Sequence, residues 1–110
     1  MKKSLTPTEL RQRLAQASAP AILDVRRKAD FDADTHMLPN ALWCDPEQLE
    51  QWSATLPKGS DVVVYCVRGG AVSNAVIDHL RANNHTAHFI EGGINAWKES
   101  GGRVTDKSQG

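Results

Sequence analysis

Apolar residues come in short blocks that switch between two periodicities. Residues 21–25, 62–65 and 86–90 are near-continuous apolar runs, and 41–43 is a briefer one. Such runs belong to strands of a parallel sheet buried on both faces. Between them the apolar positions take helical spacing. Leu10, Leu14 and Ala17 share one face of a helix predicted over 7–17, and Val72, Ala75, Val76, His79 and Leu80 share a face of a second. Leu49 and Trp52 point inward from a third helix, and Ile94 and Trp97 from a short last one. Strands alternating with helices indicate an α/β sheet joined by crossover helices.

The breaks between blocks agree with this order. Thr6-Pro7-Thr8-Glu9 is a capping box, with Thr6 as N-cap, Pro7 at the first helical position and Glu9 reaching back. Pro20 lies just past the end of that helix, and Asp45-Pro46 starts the one carrying Leu49 and Trp52. Pro57-Lys58-Gly59-Ser60 then delivers the chain to the 62–65 strand, and Asn83-Asn84 supplies a left-handed helix end. Residues 26–34 are charged around Phe31 and read as a short helical turn or loop, and 36–40 as a turn. Glu91-Gly92-Gly93 is another turn, and 105–110 reads as a polar, frayed tail. No repeat, low-complexity segment or linker divides the chain, so one domain over 1–110 is expected.

A chain of 110 residues supports one core. Lys plus Arg and Asp plus Glu are 13 each, and this balance argues against nucleic acid or an anionic membrane as partner. No apolar segment follows Lys2 and Lys3 as in a secretion signal, and no run approaches membrane-spanning length. A soluble, cytoplasmic protein is expected. The two cysteines, Cys44 and Cys66, are too few for a disulfide framework and match no zinc spacing. Neither a metal nor another cofactor is therefore expected.

The informative cysteine is Cys66. It follows the 62–65 strand directly and is followed by Val67, Arg68, Gly69, Gly70, Ala71 and Val72, where the helical pattern resumes. A strand, a tight loop and a helix N-terminus make an anion cradle, because backbone N–H groups converge there. Ligands of open α/β sheets gather at this end of the strands. The cradle should favour the thiolate of Cys66, and the thiolate is the nucleophile. Arg68 adds a fixed positive charge.

Three stretches closely resemble the rhodanese-like domain family, in the right order and over nearly the whole chain. Tyr65-Cys66-Val67-Arg68-Gly69 is similar to the family's active loop, Leu23-Asp24-Val25-Arg26 to its aspartate-x-arginine after a strand, and residues 90–97 to its closing E-G-G-x-x-x-W element. The resemblance implies one rhodanese-like domain, with a central, mainly parallel sheet of about five short strands and helices on both faces. It implies a thiosulfate-type sulfurtransferase in which Cys66 takes sulfur from a donor, becomes a persulfide and passes the sulfur to cyanide or a thiol, a thiol protein included. Val67 to Val72 would bind substrate through their amides, Arg68 would hold the sulfonate end of the donor, and Asp24 with Arg26 would support the loop.

Two departures stand out. The family loop often has arginine where this chain has Ala71, a change that bears on substrate choice. The family's histidine-x-proline-glycine turn appears here as His36-Met37-Leu38-Pro39-Asn40, one residue longer and without the glycine, so no role passes to His36. The competing function is a non-catalytic or sulfur-relay binding module, which the Ala71 departure keeps open. A cysteine phosphatase would need arginine where Val72 stands. Elsewhere the simpler readings hold: Cys44 and the three tryptophans as packing groups, and His85 and His88 as core-edge residues rather than metal ligands.

Overall fold

The computed structural model describes residues 3–16 and 19–106. Five strands form one wholly parallel sheet: β1 (Ser4–Leu5), β2 (Ala21–Asp24), β4 (Leu42–Trp43), β5 (Asp61–Tyr65) and β6 (Thr86–Ile90), in the order β1-β6-β5-β2-β4. Central β5 pairs Val62 with Ala21 on one side and Val62 with Ala87 on the other. Its side chains alternate between two cores, as the pleat of a strand requires. Val62 and Val64 face Val76, Ile77 and Leu80 of α4 (Ala71–Ala82), with Leu49 and Trp52 from α3 (Leu49–Ser53) and the preceding 3-10 turn. Val63 and Tyr65 face Leu10 of α1 (Pro7–Leu14) and Ile94 and Trp97 of α5 (Gly93–Glu99). Helices thus cover both faces, as expected.

The punctuation works as the sequence implies. The Thr6 hydroxyl accepts from the Glu9 amide while the Glu9 carboxylate accepts from the Thr6 amide. Asn84 adopts the left-handed conformation after α4. The helix predicted to Ala17 stops at Leu14: the Ala15 amide makes the last regular bond, to the Arg11 carbonyl, and the Gln16 amide tightens onto the Arg13 carbonyl; Ala17 lies outside the described residues.

Residues Lys28–Ala33 take the helical of the two expected forms, as α2. Three elements differ from expectation. Ser4–Leu5 is an edge strand on Phe89 and Ile90, too short to show a period. His36–Met37 is not a simple turn but a strand, β3, paired antiparallel with β7 (Thr105–Asp106). Thr105 and Asp106 are accordingly not frayed; residues 107–110 lie outside the described part. Both strands have two residues each, and only tertiary pairing defines them. Among the described residues no helix is long and apolar enough to cross a membrane.

Candidate active site

Cys66 stands one residue past the C-terminal end of β5, and the chain then loops through Gly69 and Gly70 into the N-terminus of α4. Its Sγ accepts two hydrogen bonds, from the Gly69 amide at 3.2 Å and from the Ser73 hydroxyl at 3.0 Å. Ser73 is fully buried in the first turn of α4, so this donor is held rigidly. Both donors, with the positive end of the twelve-residue α4 dipole, favour negative charge on sulfur. Cys66 is only 7% exposed, at the floor of an open cavity of about 280 Å³. Val67, Arg68, Gly70, Ala71 and Val72 line that cavity, as do Arg26, Arg27 and Asp30.

The loop is clamped from behind by α5. The Ile94 amide donates to the Cys66 carbonyl at 2.9 Å and the Asn95 amide to the Val67 carbonyl at 3.2 Å. In a trans peptide the N–H points opposite to the C=O. These bonds therefore turn the Val67 and Arg68 amides away from α5. The fit demands glycine: a Cβ on Gly93, at φ 61°, would collide with the Cys66 and Val67 carbonyls. A Cβ on Gly69, at φ 70°, would lie 2.9 Å from the Ile90 carbonyl oxygen and the Gly92 amide nitrogen, also too close.

Asp24 and Arg26 form a fully buried ion pair, with Arg26 Nη2 2.7 Å and Nε 3.0 Å from the two Asp24 oxygens. The Tyr65 hydroxyl donates to Asp24 at 2.9 Å and accepts from the Leu38 amide at 3.2 Å. Arg26 also donates to Asp34 and to the His36 carbonyl, with its Cζ 5.4 Å from the Phe31 ring centre and 5.6 Å from that of Tyr65. The pair joins the ends of β2 and β5 to residues 34–38. Its hydrogen-bonded link towards the loop runs through Tyr65, Cys66's neighbour, rather than to the loop amides. Asp34 extends the network to Lys98 of α5. Burial opposes its ionisation, but hydrogen bonds from Lys98 and the His36 amide and the charges of Lys98 and Arg26 outweigh this and bring it down to about 2.

Cys44 has the opposite surroundings. Burial, and then the Asp24 charge, pushes its thiol up to about 11. Each tryptophan is a packing group whose indole N–H caps a carbonyl: Trp43 on Arg26, Trp52 on Asp45 and Trp97 on Arg103. His85 and His88 are buried, and no three metal-ligating side chains gather among the described residues. A further cavity of about 440 Å³ surrounds Ala21 and Ile22 at the far end of β2 from Cys66; it brings no nucleophile or acid–base pair together. Ser73 and Arg27 are the site residues that motif reading missed. Ser73 had a legible signal, since it falls with Val76, Ile77 and Leu80 on the buried stripe of α4.

The sequence profile of the rhodanese-like domain matches residues 6–100. The chain belongs to the rhodanese-like domain family. It is 30% identical over 102 residues to a sulfurtransferase of Allochromatium vinosum, with 92% of each chain covered. It is 32% identical over 93 residues to the adenylyltransferase and sulfurtransferase MOCS3 of Drosophila virilis, covering 78% of this chain but only 20% of that larger protein. Among solved structures, a rhodanese-like domain protein from Staphylococcus aureus superposes with a TM-score of 0.75 at 30% identity, covering 88% of this chain and 91% of the other. The α/β architecture with its central parallel sheet is the fold shared with these rhodanese-like structures.

Proposed function

We propose that this rhodanese-like domain is a sulfurtransferase that carries sulfur as a Cys66 persulfide. One observation carries the reading: Sγ lies at the floor of a basic cavity with the Gly69 amide and the Ser73 hydroxyl both donating to it. The similarity to the Allochromatium sulfurtransferase, which extends over nearly the full length of both chains, supports it. The Cys66 thiolate attacks the outer sulfur of a sulfane donor such as thiosulfate. The donor's S–S bond breaks, sulfite departs with the electron pair, and Cys66 retains the outer sulfur. A nucleophile, cyanide or a thiolate, then takes that sulfur and returns the electron pair to Sγ. Loop amides and the α4 N-terminus stabilise the charge on sulfur in both steps. Arg68 and Arg27 attract the anionic donor, and Asp24 with Arg26 fixes the loop.

Two displacements at one sulfur require ping-pong kinetics. Thiocyanate formation from thiosulfate and cyanide should give parallel double-reciprocal lines. Intersecting lines would contradict the covalent route, and loading of Cys66 without turnover of any small acceptor would favour a sulfur-relay module.

A further inference from the structure

A second cavity of about 410 Å³ lies beside the one at Cys66, and Arg27, Ala71 and Val72 line both. Pro46 and Leu49 form one wall of this groove; Ala71, Val72, Ala75 and Val76, from the first turns of α4, form the other. Leu49 and Val72 are only partly buried against the core and present apolar surface there. Its charged lining residues are Arg27, shared with the sulfur site, and Glu47. A small anion such as thiosulfate or cyanide has no group to place against such walls.

Transfer out of a persulfide places its own demand on geometry. The acceptor must reach the outer sulfur along the S–S axis, from the side opposite Sγ. Sγ lines the first cavity, and the second lies directly beside it, with Arg27, Ala71 and Val72 in the lining of both. We propose that the groove is the acceptor subsite, and that it selects a thiol carried on an aromatic or branched aliphatic body over hydrophilic thiols. This rests on persulfide chemistry at Cys66. The thiolate RS⁻ attacks the outer sulfur of Cys66–S–SH, the S–S bond breaks and its electron pair returns to Sγ. The proton leaves with the outer sulfur in RSSH. Arg27 attracts the incoming thiolate while the apolar body lies against Leu49, Val72 and Ala75. The short side chain of Ala71 keeps the passage open.

The test loads the protein with sulfur from thiosulfate, removes the donor and follows loss of the persulfide in single turnover. Phenylmethanethiol and 2-mercaptoethanol are compared, each rate corrected for thiolate fraction and divided by that thiol's rate with glutathione persulfide in solution. Partial burial of the ring predicts a preference of about ten- to a hundredfold for phenylmethanethiol. Ala75→Gln puts a polar side chain into the groove with a good helix former and should bring the ratio towards one. Equal rates in the wild type, or a preference unchanged in Ala75→Gln, overturn the groove; if cyanide still discharges the persulfide, sulfur transfer stands. Absence of a persulfide with every sulfane donor tried overturns both.

Discussion

The two cysteines show how a few neighbouring groups decide what a side chain does. Both are 7% exposed, yet Cys44 lies beside the Asp24 charge with its thiol pushed up to about 11, whereas Cys66 meets two hydrogen-bond donors. Iodoacetamide should therefore modify Cys66 well before Cys44, as peptide mapping would show. Removing the Ser73 hydroxyl tests its share. Ser73→Ala should slow persulfide formation by about ten- to a hundredfold, the worth of one hydrogen bond to a charged group, with little change in Tm. An unchanged rate would make Ser73 a packing residue. Cys66 was legible as the candidate nucleophile from its place between strand and glycines. Ser73 was not assigned, because motifs name neighbours in sequence whereas this contact spans a loop and a helical turn.

At the scale of elements, the relation between the active loop and α5 matters most. The glycine pair before Trp97 was recognisable in the sequence, but its purpose was not, because close backbone approach leaves no periodic trace. The structure supplies it in the two amide bonds to the Cys66 and Val67 carbonyls. Gly93→Ala would force a left-handed alanine into those carbonyls. It should cost at least about 2 kcal/mol and abolish sulfur loading, although nothing at Gly93 reacts. Activity and Tm both close to wild type would refute the clamp. The helices and long strands were predicted because burial repeats along them. The two-residue strands β1, β3 and β7 escaped, since pairing with distant partners alone creates them.

For the whole molecule, buried polar groups govern stability and its dependence on pH. Asp24→Asn would leave the Arg26 charge without its main partner, at a cost of about 3–5 kcal/mol measurable by urea unfolding. A cost below 1 kcal/mol would show that Asp34 suffices. His88 is buried on β6 with an unpartnered Nδ1. Desolvation first, and then the charges of Arg13 and Arg81, lowers it from the usual 6.5. Its neutral form is thus favoured by the fold, and the unfolded chain takes up the proton more readily. That contribution is complete above about 6.5 and declines as pH falls from there towards the lowered value. His88→Gln should flatten this acid limb; an unchanged limb would assign the loss to other groups.

The central claim is that Cys66 carries the sulfur, and intact-protein mass spectrometry reads it directly. Protein incubated with thiosulfate and freed of donor should gain one sulfur atom. Peptide mapping should place it on Cys66, and cyanide should remove it as thiocyanate. The account predicts no gain in Cys66→Ser. A wild-type protein that gains no sulfur from thiosulfate or an organic persulfide, or that carries it on Cys44, would contradict it.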